Sequence, residues 1–176
     1  ESLKNIERLS NFVEKLRGCV AEVGIYKGGS ALFICDLNPN EDIYIFDTFE
    51  GLPEISACDN VHVQGDFDDV TELEVRKLLS QFVNCNIFKG VFPKDTGHFI
   101  KKKMFKLVHL DIDVYKSYIN SLTFFYPRMV KGGVIIMDDY SSKYCLGAKK
   151  AVDEFTCSIP EGLILGPERQ AYIIKE

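Results

Sequence analysis

The sequence predicts an α/β fold in which a mostly parallel β-sheet carries helices on both faces. Three observations predict it. Short apolar runs rich in Val, Ile and Phe alternate along the chain with longer stretches of helical period. Most of those apolar runs end on an acid or a glycine, as strands of such sheets do where a ligand is held. No repeat, low-complexity segment or break in composition interrupts the 176 residues, so 1–176 reads as one domain, long enough for one sizeable core.

Taken in order, residues 3–17 form an amphipathic helix with Leu3, Ile6, Leu9, Phe12, Val13 and Leu16 on one face, stopped by Gly18. A strand over 19–24 leads through Gly28 and Gly29 into a helix that Asn38-Pro39-Asn40 ends at Leu37. Ile43 to Phe46 is the second strand and closes on Asp47. The turn-rich stretch 48–69 is long for an α/β connection, and loops of that kind are often functional. Val70 to Phe82 reads as a helix, Asn86 to Lys89 as the third strand and Asp95 to Lys102 as a short helix. Phe105 to Leu110 is the fourth strand, followed by a helix over 116–129. Lys131-Gly132-Gly133 turns into a fifth strand, Val134 to Met137, and a helix covers 144–156. Residues 163–166 and 171–174 close the sheet as a hairpin.

Composition excludes several classes of function. A net charge of −5 does not favour nucleic acid, and the basic runs Lys101-Lys102-Lys103 and Lys149-Lys150 are short enough to be solvated helix faces. No apolar run approaches the ~20 residues of a membrane span, and no signal-peptide pattern opens the chain. The six cysteines have neither C-x-x-C pairing nor zinc-type spacing to a histidine, and read as free thiols in a reducing compartment. A cytoplasmic protein without nucleic-acid or membrane partners is the expectation.

The candidate site follows from what stands at the strand ends. Glu22-x-Gly24-x-x-x-Gly28-Gly29-Ser30 is a glycine turn opening a helix, whose free N–H groups and Ser30 hydroxyl face an anion or polar ligand. It does not match the dinucleotide pattern G-x-G-x-x-G, and glycines of this kind also serve ordinary tight turns. Asp47 lies 23 residues past Gly24, where an acid accepts two hydrogen bonds from ribose hydroxyls; Asp47-Thr48 is equally turn-capping chemistry. Asp111, Asp138 and Asp139 each follow an apolar run. On adjacent strands their carboxylates would repel unless a hard divalent cation joined them, and oxygen ligands suit Mg²⁺ rather than zinc. Asp113, two residues past Asp111, is placed either as a general base on a hydroxyl acidified by that metal or as a cap of the next helix. His62 and Asp66 in the long loop are further candidates to line the pocket.

With those residues in order, the chain resembles the macrocin O-methyltransferase family of sugar methyltransferases. The resemblance rests on A-E-V-G-I-Y-K-G-G-S at 21–30, I-F-D-T-F-E-G-L-P at 45–53, G-D-F at 65–67 and K-G-V-F-P at 89–93. It continues through H-L-D-I-D-V-Y-K-S at 109–117, G-G-V-I-I-M-D-D-Y at 132–140 and A-V-D-E-F at 151–155. It implies a Rossmann-like class I methyltransferase sheet of seven strands with the last antiparallel, and S-adenosylmethionine as cofactor. It further implies that Asp111, Asp138 and Asp139 ligate Mg²⁺ and that Asp113 is the base. By the same analogy Glu22, Gly24, Gly28, Gly29 and Ser30 hold the methionine part, Asp47 and Thr48 the ribose end, and Gly90 and Phe92 the adenine, with Asp111 also reaching the cofactor. The acceptor would be a hydroxyl of a small molecule or glycan, a sugar in particular. Family members carry a longer N-terminal part that helps to cover the substrate. The chain starts at Glu1 rather than Met, so it is expected to be trimmed, with helix 3–17 the remnant of a longer lid region. The acceptor pocket is then incomplete, or completed by a second copy in a homo-oligomer.

Two other classes compete. Asp111-x-Asp113 is also the metal motif of nucleotide-sugar glycosyltransferases, which the preceding glycine loop and the following Asp138-Asp139 fit less well. A non-catalytic cofactor-binding module is the other, and the intact acid set argues against it.

Overall fold

The structure is a computed structural model and describes residues 1–176. A seven-stranded sheet forms its centre: β1 (Cys19–Val23), β2 (Ile43–Asp47), β3 (Cys85–Lys89), β4 (Phe105–Leu110), β5 (Met129–Met137), β6 (Ile164–Leu165) and β7 (Ala171–Ile174). The spatial order is β3-β2-β1-β4-β5-β7-β6. β1 through β5 pair in parallel, and β7 runs antiparallel to both β5 and β6. The helices are α1 (Ser2–Phe12), α2 (Gly29–Leu37), α3 (Glu72–Leu78), α4 (Tyr115–Phe125) and α5 (Leu146–Thr156). None of them is long and apolar enough to cross a membrane.

Each strand feeds two cores, because alternate side chains point to opposite faces. Val20, Ile43, Ile45, Leu107, Val134 and Ile136 pack with Ile6 and Leu9 of α1, Ile34 of α2 and Val75 of α3. Val23, Phe46, Val108, Leu110, Ile135 and Met137 pack on the other face with Tyr118, Leu122 and Phe125 of α4 and Ala148, Ala151 and Val152 of α5. Burying each of the larger apolar side chains stabilises the fold by about 1.5–3 kcal/mol. The apolar strands therefore tolerate little polarity, which makes Glu22 and His109 inside β1 and β4 conspicuous.

Several elements differ from the sequence reading, each for a local reason. The helix expected over 3–17 stops at Phe12; Val13 and Leu16 instead form a turn, with Leu16 N–H donating to Val13. The helix expected over 95–102 is only a 3₁₀ turn, Gly97–Phe99. Its opening acid, Asp95, accepts from Val91 N–H at 3.0 Å instead of capping a helix. α3 is shorter than 70–82, since Thr71 and Glu74 form a reciprocal capping box that fixes its start. The helix expected over 116–129 ends at Phe125, and Pro127 sits in a 3₁₀ turn, Tyr126–Arg128. α5 begins at Leu146 rather than 144. β5 is longer than 134–137, because the chain passes through Gly132, in the left-handed region at φ 82°, as an irregularity in the pairing with β4 rather than as a turn. An added Cβ at Gly132 would lie 3.3 Å from Leu16, so glycine lets the two segments approach.

The order of strands reverses between β1 and β4, and ligands of open α/β sheets sit outside the strand ends at such a point. The register makes this concrete. Val23 pairs with Phe46 on one side and Leu110 on the other, and Leu110 pairs with Met137. The residues one step beyond, Gly24, Asp47, Asp111 and Asp138, are therefore neighbours along one edge.

Candidate functional site

A cavity of about 470 Å³ opens at that edge, within the range usual for small-molecule sites. Asp111, Asp138 and Asp139 stand on one wall and offer oxygens within 4.8 Å of one another. The protein grips two of them from opposite faces of the sheet. Asp138 Oδ1 accepts from Gln170 Nε2 and lies 3.5 Å from His109 Nε2. Asp139 Oδ2 accepts from the Tyr118 hydroxyl and from Asp113 N–H, both at 3.2 Å. Gln170 is itself held by Asn5 of α1, whose Nδ2 donates to its Oε1 at 2.8 Å.

The electrostatics are those of an uncompensated acid cluster. Burial pushes the Asp111 carboxyl well above its usual value, and the charges of Asp139 and Asp138 push the same way. Burial, then the charges of Asp113 and Asp138, push Asp139 up to about 7. Asp138 is the exception: burial opposes its ionisation, but His109, Gln170 and Arg169 outweigh it and hold the carboxyl below its usual value. His109 is also buried, which disfavours its charged form, yet Asp138 and Glu22 push its pKa up to about 10. An all-oxygen donor set, mutually repelling and with one oxygen each on Asp138 and Asp139 already fixed by the protein, fits a hard divalent ion such as Mg²⁺.

The far wall carries the other predicted residues, Gly24, Asp47, Thr48, Gly90 and Phe92. Asp47 is heavily engaged. Its Oδ2 accepts from Ile25 N–H at 2.8 Å and Tyr26 N–H at 3.2 Å, and its Oδ1 from Phe49 N–H at 2.8 Å. A carboxylate offers about four acceptor positions, so about one remains for a ligand rather than two. The turn-capping role and the ligand-facing position thus coexist at this residue. Thr48 Oγ1 donates to Gly51 at 2.6 Å. Ser121 of α4 presents a buried hydroxyl without a protein partner to the same cavity, a polar atom suited to a bound ligand.

Four predicted residues do not line the cavity. Glu22 is fully buried within the sheet, where His109 Nδ1 lies 2.8 Å from its Oε1. Gly28, at φ 81°, turns toward α3, and an added Cβ would touch Leu78 at 3.1 Å. Gly29 and Ser30 open α2 behind it. The glycine loop therefore reaches the cavity through Gly24, Ile25 and Tyr26.

Asp113 does line it, at φ 55°, a backbone conformation that aspartate tolerates better than most residues. Burial raises its pKa, while the charge of His62 and the thiol of Cys145 act the other way. His62 and Asp66 also line the cavity, joined at 3.4 Å through His62 Nδ1. Sequence reasoning misses Cys145, Arg169 and Tyr26. Cys145 lies between helix and turn with no motif around it, and Arg169 reaches the site only because β7 pairs with β5. His109 is set aside in favour of His62, although a histidine inside an apolar strand is itself a signal.

The macrocin-O-methyltransferase (TylF) family pattern matches residues 2–159. The demethyldecarbamoylnovobiocin O-methyltransferase of Streptomyces niveus is 28% identical, over 87% of this chain and 65% of its own length. The 8-demethyl-8-(2,3-dimethoxy-alpha-L-rhamnosyl)-tetracenomycin-C 4'-O-methyltransferase of Streptomyces olivaceus is 26% identical, over 83% of this chain and 64% of its own. The chain thus spans less than two thirds of the length of either. Among solved structures, that of the O-methyltransferase NovP superposes with a TM-score of 0.85 at 25% identity, covering 99% of this chain and 79% of that one.

Proposed function

The chain belongs to the macrocin-O-methyltransferase (TylF) family and has the class I methyltransferase fold, and from that premise we propose that it methylates a hydroxyl group, with S-adenosylmethionine as donor and Mg²⁺ or a similar ion in the acid cradle. The proposed acceptor is a sugar hydroxyl on a small secondary metabolite. The S. olivaceus relative has a rhamnosyl tetracenomycin in its name, which supports that class.

The observation that carries the reading is the juxtaposition of Asp111, Asp138 and Asp139 with Asp47, Gly90 and Phe92 across one cavity. In this reading Asp47 and Thr48 face the ribose end, Gly90 and Phe92 flank the adenine, and Gly24 lets the backbone approach the methionine part. Gly28, Gly29, Ser30 and the buried Glu22 act from behind, by fixing the turn that carries Gly24–Tyr26. A hard divalent ion, when bound, offsets the cradle's charge and acidifies an alcohol that reaches it. Asp113 stands beside the cradle, anchored through its own N–H to Asp139, and takes the acceptor's proton. The protein's contribution to rate is then chiefly positioning and charge stabilisation. A glycosyltransferase reading of Asp111-x-Asp113 loses support, because Asp111 groups with Asp138 and Asp139 while Asp113 groups with His62 and Cys145.

Calorimetry with S-adenosylhomocysteine and with Mg²⁺, on the parent and on Asp139→Ala, tests the assignment. Both proteins should bind S-adenosylhomocysteine, and only the parent should bind Mg²⁺ at the cradle. A parent that fails to bind S-adenosylhomocysteine refutes the methyltransferase reading, and unchanged Mg²⁺ binding in the variant refutes the cradle.

A further inference from the structure

Beside the acid cradle lies a second constellation with a different chemistry. Cys145 Sγ is 3.6 Å from His62 Nε2 and 3.5 Å from Asp113 Oδ1, and His62 Nε2 is 3.8 Å from Asp113 Oδ1. The three donor atoms come from three separate parts of the chain: the long loop, the turn after β4 and the N-terminal edge of α5. All three face the cavity.

We propose that His62, Asp113 and Cys145 form a second metal site, for a borderline or soft divalent ion such as Zn²⁺, distinct from the hard-ion cradle. Tetrahedral zinc has Zn–S near 2.3 Å and Zn–N and Zn–O near 2.0 Å, so ligand atoms about 109° apart lie about 3.5 Å from each other for S–N and S–O pairs and about 3.3 Å for N–O. The two distances from Cys145 match that pattern within about 0.1 Å, and the third needs His62 to close by about half an ångström. Imidazole, thiolate and carboxylate are the ligands zinc takes, whereas a thiolate does not suit Mg²⁺.

The surroundings complete the arrangement. His62 Nδ1 faces Asp66 Oδ2 at 3.4 Å, and Asp66 Oδ2 also accepts from Val63 N–H at 3.0 Å. A carboxylate on the remote ring nitrogen sets the tautomer so that Nε2 is the free donor, as metal-bound histidines ordinarily show. Three protein ligands leave a fourth position open to the cavity, the pattern of a zinc site that meets solvent or a small ligand. Binding releases the Cys145 thiol proton to solvent and leaves His62 neutral. A metal held there also occupies the carboxylate of Asp113. If Asp113 is the base, zinc then opposes methyl transfer; that consequence rests on the proposed function, whereas the site rests on geometry alone.

Cobalt(II) titration of the intact chain, with Mg²⁺ saturating the cradle, tests the site. One equivalent should give a thiolate-to-cobalt charge-transfer band and the visible bands of tetrahedral cobalt, all displaced by Zn²⁺. Cys157→Ser, which removes the exposed cysteine, should leave the spectrum intact, and Cys145→Ser should abolish the charge-transfer band. Asp66→Asn should weaken affinity by about 10–100-fold while keeping the band. Should Cys145→Ser fail to fold, His62→Gln in the loop decides between the outcomes, with an affinity loss of more than about tenfold expected. A parent without the band, a band that survives Cys145→Ser, or unchanged affinity in His62→Gln overturns the proposal.

Discussion

Gly24→Ala couples the fold to the site at one atom. Gly24 has φ +78°, and a Cβ added there would lie 1.9 Å from the carbonyl oxygen of Asp111 and 2.9 Å from Ile112 Cγ2. Real Cβ contacts stay above 3.0 Å, so the ends of β1 and β4 must part by about 1.1 Å. The parting pulls on Gly24 N–H, which donates to Phe46 at 2.9 Å, and on Asp111 N–H, which donates to Val23 at 3.0 Å. The left-handed backbone costs about 1–2 kcal/mol for a residue with a Cβ. Overpacking costs about 1–3 kcal/mol more. The variant should therefore lose about 2–5 kcal/mol, enough to threaten but not abolish folding of a domain whose stability is about 5–15 kcal/mol. Because Asp111 moves with its carbonyl, a displacement near 1 Å should also reduce turnover by about a hundredfold. Urea unfolding gives the first quantity and Mg²⁺ calorimetry reports the cradle. Gly29→Ala is the control, since an added Cβ there meets nothing within 4 Å. A Gly24→Ala protein within about 1 kcal/mol of the parent, with unchanged Mg²⁺ affinity, would refute the reasoning.

Two further predictions concern the groups around the cradle. Asp113→Asn should fold, since asparagine also tolerates a positive φ, and should bind S-adenosylhomocysteine normally while losing about 10²–10⁴-fold in turnover; full turnover in that variant removes Asp113 as the base. His109→Leu strands the buried Glu22 without its partner and should cost about 3–5 kcal/mol in urea unfolding, whereas Glu22→Leu combined with His109→Leu should recover the part due to Glu22 but not the part due to the lost contact of His109 with Asp138. Additive effects in that double-mutant cycle would show that the two residues do not act as a pair.

The sequence carried the layout of the sheet because each strand is a short apolar run bounded by turn residues, and those signals are local. It also carried the list of strand-end acids. The grouping of Asp111, Asp138 and Asp139 rested on their strands being neighbours, and that adjacency, seen in the pairing Leu110↔Met137, is a relation between segments far apart in the chain. The same limit explains Glu22. Read along the chain it belongs to a glycine turn, but β1 lies beside β4, and Glu22 pairs with His109 in the interior. Two polar residues inside two apolar runs were the available hint, legible only once the strands are known to be neighbours. Residues 95–102 failed for a different reason. Their composition suits a helix, but Asp95 is diverted to Val91 and Gly97 packs against Pro93 and Phe124, so one 3₁₀ turn forms instead.

The charges around the cradle do not balance. His109 and Arg169 help to hold Asp138 ionised, while Asp113 adds a further negative charge against Asp139. Two of the buried carboxyls, those of Asp111 and Asp139, are raised above their usual values. Without a cation, protons supply the missing positive charge. The native state then binds more protons than the unfolded chain between the ordinary carboxylate value, 3.8, and about 7, so the metal-free protein loses stability as pH rises through that window. A divalent ion replaces those protons, and its stabilising effect must grow with pH over the same range. Calorimetry in buffers of different ionisation enthalpy should show protons released on Mg²⁺ binding at about pH 6, in a number that falls as pH rises through about 7, where Asp139 ionises. Urea midpoints with and without Mg²⁺ should diverge over that interval. Mg²⁺ binding that releases no protons at about pH 6 would mean that the acids are already ionised and that the cradle is not the buried, charge-deficient site its hydrogen bonds describe.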